Sequence, residues 1–275
     1  MRSAITISLV PEARQGPFVF HACDTPGGFE SCCRLAAEIG FDAVEVFPEA
    51  AETLPRERLR TVLAVHGLAV AAVGTGAGWL RQQLHLCHAD AAVRTRARAF
   101  IGGIIDAAGE FGAPAIIGSM QGRSDERVPR DAALDHLADG LGELGERAAR
   151  HGQVLLYEPL NRYETNLFNR QADAAEFLAS RGIPHVKLLC DLFHMAIEEH
   201  DIAAAIRACG GRVGHVHWAD SNRRAVGFGH TDPAPIIAAL EAIGYRGFLS
   251  AEVLPLPTAV DAARQSLLGF QAHTR

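Results

Sequence analysis

Short, continuous apolar runs alternate with longer segments whose apolar residues recur at helical spacing, and this beat repeats along the chain. Eight runs read as strands: ITISLV from Ile5, AVEVF from Ala43, AVAAVG from Ala69, AIIGSM from Ala115, VLLYEPL from Val154, VKLLCDLF from Val186, VGHVHWA from Val213 and FLSAEVL from Phe248. Most are continuous rather than alternating and rich in β-branched residues, the pattern of a parallel sheet covered on both faces. Between them the spacing predicts helices, with Asp90 placed to N-cap VRTRARAFIGGIIDAAGEF and Asp131 placed to open AALDHLADGLGELGERAAR. Shorter helices are expected in QADAAEFLASR, DIAAAIRAC and DPAPIIAALEAIG, and near the C-terminus.

Eight strand–helix units in 275 residues favour one α/β domain over residues 1–275, a single (β/α)8 TIM barrel. The competing doubly wound sheet usually carries a Gly-rich phosphate loop after its first strand. Here PEARQGPF follows the first strand, and the glycines from Gly74 to Gly78 lack G-x-G-x-x-G spacing.

Four polar residues fall near the ends of the last four apolar runs: Glu158, Asp191, His217 and Glu252, separated by 33, 26 and 35 residues. A barrel gathers its active site at the C-terminal ends of its strands, so these four line one rim over consecutive strands. Any one of them alone is more readily a cap or an ion-pair partner; all four together point to one metal ion. Three oxygens and one nitrogen form a fairly hard donor set, suited to Mn²⁺ or Mg²⁺ with Co²⁺ tolerated. The fifth and eighth strands lie three apart in a ring of eight, which sets Glu158 and Glu252 across the mouth from each other. Alternation turns His215 to the same side as His217, one layer deeper, as an interior hydrogen-bonded group. Glu45 is also expected inward, either as a satisfied polar group of the barrel or as a further site residue.

A net charge of −6 argues against nucleic acid and anionic membrane as partners. No stretch approaches the roughly 18 apolar residues of a membrane span, and the first apolar run is too short for a secretory signal. The six cysteines form no C-x-x-C pair, which fits a reduced cytoplasm.

The segments YEPLNRYETN (157–166), CDLFHMAIEE (190–199), HVHWADSNR (215–223) and SAEVLPLP (250–257) resemble the xylose-isomerase-like barrel superfamily of sugar isomerases and epimerases. They are most similar to ketose 3-epimerases of the D-tagatose and D-psicose type. GTGAGWL and ADSNR…GFGH look like the branch acting on keto-hexonates such as 5-keto-L-gluconate. The resemblance implies Glu158, Asp191, His217 and Glu252 as metal ligands, Glu158 and Glu252 as catalytic carboxylates, and Glu164, His194 and Arg223 as substrate contacts. It also implies a sugar or sugar-acid substrate and a homo-oligomer, a dimer or tetramer. On the side of the first two strands it is thin, and His21, Phe47 and Glu49 receive no role.

The reaction so implied is epimerisation at the carbon beside a ketone, C3 in a ketose, by proton removal from one face and return to the other through a metal-stabilised enediolate. An aldose–ketose isomerase of the hydroxypyruvate isomerase kind uses the same enediol. A metal-dependent dehydratase of the inosose or 3-dehydroshikimate type would instead expel a β-hydroxyl. A DNA endonuclease of the same superfamily calls for a basic face that the acidic balance does not provide. Arg162 either meets a substrate carboxylate or pairs locally, and Trp79 and Phe228 either wall the pocket or pack on its rim.

Overall fold

The computed structural model describes residues 1–274. Among these residues nine strands occur in chain order: β1 (Arg2–Ser8), β2 (Phe20–His21), β3 (Ala43–Phe47), β4 (Ala69–Gly74), β5 (Ala115–Ile117), β6 (Leu155–Tyr157), β7 (Val186–Asp191), β8 (Val213–His217) and β9 (Phe248–Ala251). The helices are α1 (Gly28–Ile39), α2 (Arg56–His66), α3 (Ala77–Gln82), α4 (Ala91–Gly109), α5 (Arg130–Ala149), α6 (Gln171–Ser180), α7 (Leu192–Glu198), α8 (Ile202–Cys209), α9 (Pro233–Ala242) and α10 (Ala259–His273). All strand pairings are parallel, and β1 pairs with both β3 and β9, so the expected eight strands close into a TIM barrel.

The two-residue β2 has no counterpart among the expected strands. At the bottom of β1, residues Arg2 to Ile5 pair with β9; at its top, Ile7 and Ser8 pair with Phe20 and His21. Thr6 sits at the changeover. Its hydroxyl donates to the Ala251 carbonyl at 2.9 Å and accepts from the Val19 amide at 3.1 Å. The exchange lets β9 end at Ala251, freeing the chain at Glu252 to turn into the mouth while β1 keeps a partner.

Alternation sorts the strand residues into two sets. One set, including Ile5, Val44, Val46, Val73, Leu188 and Leu249, packs outward in the main core with helix residues such as Ile101, Ile104, Leu141 and Leu178. The other set fills the barrel. Its middle layer is apolar on one side, where Ala72, Ile116, Leu156 and Leu189 cluster. The opposite side carries Thr6, Glu45, His215 and Ser250, all buried. That polar half lies beneath the metal-ligand candidates.

Helix starts follow the expected chemistry with one correction. Asp90 caps α4 by accepting from the Ala92 amide at 2.8 Å, and Asp201 and Asp232 cap α8 and α9 in the same way. Asp131 does not open α5. The helix begins at Arg130 behind Pro129, which sits at the cap position, and Asp131 falls in the first turn. Among the described residues, no helix is long and apolar enough to cross a membrane.

Candidate active site

Glu158 follows β6 directly, Asp191 ends β7 and caps α7, His217 ends β8, and Glu252 follows β9. One donor atom from each lies within 4.8 Å of all the others. His217 is the hub: its Nδ1 stands 3.6 Å from Glu158 Oε1, 3.4 Å from Asp191 Oδ2 and 3.4 Å from Glu252 Oε2. All four side chains are buried, and Glu158 Oε1 has no hydrogen-bond partner. Three buried carboxylates around one imidazole are costly unless a cation joins them. The donor set therefore fits a divalent ion, and these residues are the ones that would hold it.

The electrostatics of the protein alone carry the same imprint. Burial opposes charge on His217, yet Glu252, Glu45 and Asp191 hold its pKa well above the ordinary histidine value. Burial works against the Asp191 carboxylate too, but His194, His217 and Arg223 bring it below the usual range. The two glutamates diverge: burial dominates at Glu158 and raises it, whereas at Glu252 burial is overcome by His217 and Arg223 and the group is lowered.

The three expected substrate contacts stand around this cluster. Arg223 Nη2 donates to Glu252 Oε2 at 2.7 Å, and Nη1 lies 3.7 Å from Glu164 Oε1. Its guanidinium is 4.7 Å from the Phe193 ring centroid. Arg223 adopts a positive φ of 59°, uncommon for a side chain of this size, and the loop around it enforces the conformation. Buried Asp220 accepts from the amides of Ser221, Gly227, Gly229 and Thr231, while the Asp220 carbonyl accepts from the Arg223 amide. His194 projects from α7 with Nε2 3.8 Å from Glu158 Oε1. The Asn161 amide donates to its Nδ1 at 3.3 Å, which leaves the proton on Nε2. That Nε2 is buried without a partner, a donor aimed into the mouth.

The mouth opens into a cavity of about 330 Å³, whose apolar lining includes Phe18, Phe47, Trp79, Leu80, Ile116 and Leu160. Two glycines keep it open. A Cβ on Gly74 would lie 2.1 Å from the Phe47 ring, and one on Gly118 would lie 2.5 Å from Glu158 Oε2. Trp79 thus walls the pocket, while Phe228 stays on the rim, with Arg224 5.2 Å above its ring. Arg162 faces away: its guanidinium holds Glu198 at 2.9 Å and it does not line the cavity. Among the described residues, Arg223 is the one arginine in the lining. Glu49 is engaged by Arg81 at the rim, and His21 is buried beside Phe18 with ring centroids 5.9 Å apart.

Asn161, Gln121, Asp220 and Phe18 escaped the sequence reading. Asn161 orients His194, and Gln121 donates to the Glu158 carbonyl at 2.9 Å while accepting from the Tyr157 hydroxyl at 2.8 Å. The DSN turn after β8 was a visible signal for Asp220; nothing local marks the others.

The xylose isomerase-like TIM barrel family matches residues 33–270. An L-ribulose 3-epimerase of Mesorhizobium japonicum is 32% identical over 238 residues, covering 86% of this chain and 78% of the relative. A D-psicose 3-epimerase of Agrobacterium fabrum is 31% identical over 217 residues, covering 77% and 74%. Among solved structures, a D-allulose 3-epimerase from Methylomonas sp. in complex with D-allulose superposes with a TM-score of 0.83 at 22% identity, over 100% of this chain and 97% of that one. With this match over most of its length, on a closed eight-stranded barrel, the chain belongs to the xylose isomerase-like TIM barrel family.

Proposed function

We propose that this sugar epimerase or isomerase inverts the carbon beside the ketone of a neutral ketose, using a divalent metal ion and two glutamates. The observation that carries the reading is the convergence of Glu158, Asp191, His217 and Glu252 within 4.8 Å at the floor of a sugar-sized cavity. Relatives that bear 3-epimerase names, and that this chain matches over three-quarters of its length, support the reaction class.

Glu158 and Glu252 stand on strands three apart in the ring, so a flat substrate between them offers one face to each. One carboxylate removes the proton from the carbon and the other, protonated, returns a proton to the opposite face. The two groups sit in unlike surroundings: burial raises Glu158, whereas at Glu252 burial is overcome by His217 and Arg223. His194 donates from Nε2 to a substrate oxygen, and Arg223 holds a second oxygen while restraining Glu252. Glu158, Asp191, His217 and Glu252 would hold a divalent ion, which when bound would supply Lewis-acid stabilisation of the negative charge developing on the ketone oxygen. Mn²⁺ is our preferred ion, on the hardness of the donors.

The cavity favours a neutral substrate over a keto-hexonate. Its lining includes Glu12 as well as the site carboxylates, Arg223 in that lining is already paired, and Arg162 is turned outward. Away from the ligand cluster, the described lining pairs aromatic and aliphatic side chains with the uncharged Gln15, Thr75 and Ser119, and offers a carboxylate no further arginine or lysine. The direct test incubates the Mn²⁺-loaded protein with a panel of ketoses, 3-keto-glycosides and keto-hexonates and follows product stereochemistry. Inversion beside the ketone of neutral members is expected; turnover confined to keto-hexonates would reverse the substrate assignment.

A further inference from the structure

We infer that Glu45, a layer below the ligands, is the positioning residue that presents His217 to the metal through Nδ1. This rests on the metal reading above. Glu45 is fully buried in the middle of β3 and reaches across the barrel to β8. Its Oε1 is 3.0 Å from His217 Nε2, and its Oε2 is 2.6 Å from His215 Nε2. An ionised carboxylate only accepts hydrogen bonds, so both imidazoles turn an N–H toward it. With Nε2–H committed, Nδ1 is the ring nitrogen left to give up its proton to solvent and offer a lone pair to the ion, and it is the atom surrounded by the three ligand carboxylates.

His215 completes the device. By occupying the second oxygen, it stops the carboxylate from rotating away from His217, and the two rings meet edge to face with centroids 5.6 Å apart. The other half of this layer is apolar, formed by Ala72, Ile116, Leu156 and Leu189, and offers Nε2 no other side-chain acceptor. Glu45, His215 and His217 also lie close enough together to suggest a second metal site. Hydrogen-bond distances on both Nε2 atoms assign them instead to Glu45. Outer carboxylates of this kind typically contribute 10- to 100-fold to metal affinity.

Calorimetric titration of the metal-stripped full chain with Mn²⁺, beside ¹⁵N-histidine NMR of the Mg²⁺-loaded wild type, tests the assignment. Glutamine at position 45 accepts from only one imidazole, so Glu45→Gln is expected to weaken Mn²⁺ binding about 10- to 100-fold, with the metal-free protein still folded. In the wild type, the His217 proton is expected on Nε2, in a strongly hydrogen-bonded N–H resonance. Unchanged Mn²⁺ affinity in Glu45→Gln would overturn the inference while leaving the proposed reaction standing. A proton on Nδ1 in the Mg²⁺-loaded wild type would do the same, whether or not the variant folds. A wild type that binds no divalent ion would overturn the metal reading and this inference together.

Discussion

Arg223 grips Glu252 at 2.7 Å, while on the facing strand Glu158 keeps one oxygen with no partner. The two carboxylates that look alike in sequence therefore enter the site differently. Glu252 is anchored by a cation and held low; Glu158 is buried and raised.

Replacing either with glutamine removes a proton carrier while preserving shape. Glu158→Gln and Glu252→Gln are each expected to lower kcat by about 10²- to 10⁴-fold or more, with circular dichroism and melting near wild type. Steady-state kinetics on the best ketose of the panel checks this. Near-wild-type turnover in either variant would remove the two-carboxylate mechanism.

Arg223→Lys keeps the charge but loses the planar fork that reaches Glu252 and Glu164 together. We expect kcat/KM to fall about 10- to 100-fold, with both kcat and KM affected, because in the proposed mechanism the guanidinium would both restrain Glu252 and hold substrate. A pure KM effect would confine Arg223 to binding.

Gly118→Ala places a methyl group where Glu158 Oε2 now lies, 2.5 Å away. Glu158 must shift, so turnover and metal affinity are expected to drop at least about tenfold from a change of one carbon. Kinetics and Mn²⁺ titration of the purified variant measure both. Gly74→Ala acts on the other wall, pressing Phe47 toward the cavity, and should raise KM more than it lowers kcat.

Asp220 ties the Arg223 loop, and its stabilisation depends on pH. Burial pushes its carboxyl up, but the amides of Thr231, Ser221, Gly227 and Gly229 outweigh that and lower it below the usual range. The unfolded chain thus binds the proton more tightly. The contribution is complete above the unfolded value near pH 4 and is lost as pH falls through the lower folded value. The stability gap between wild type and Asp220→Asn should therefore be constant around neutrality and close on acidification. Thermal melts of both proteins from neutral pH to about pH 3 test this; a gap that widens on acidification would reverse the sign.

The convergence of Glu158, Asp191, His217 and Glu252 was legible in the sequence because each lies near the end of a strongly apolar run, and the barrel rule then brings strand ends together. Barrel closure likewise followed from the eightfold beat. Glu45 was half-legible. Alternation turned it inward, but which residues it meets depends on how β3 faces β8 across a closed ring, a relation between residues 170 apart in the case of His215. The two-residue β2 was invisible, since its pairing depends on β9 ending early and on the single hydroxyl of Thr6. Arg162 was ambiguous for a similar reason: the acid that turns it outward, Glu198, lies on α7 rather than beside it. Long-range partners decided what local pattern left open.

The most direct measurement is turnover of a neutral ketose in deuterated water by the Mn²⁺-loaded protein, followed by NMR of the product. The account predicts an inverted carbon beside the ketone carrying one solvent deuteron, with loss of the reaction in Glu158→Gln and Glu252→Gln. An inverted product free of deuterium, or label found only at C2 of an aldose, would contradict it.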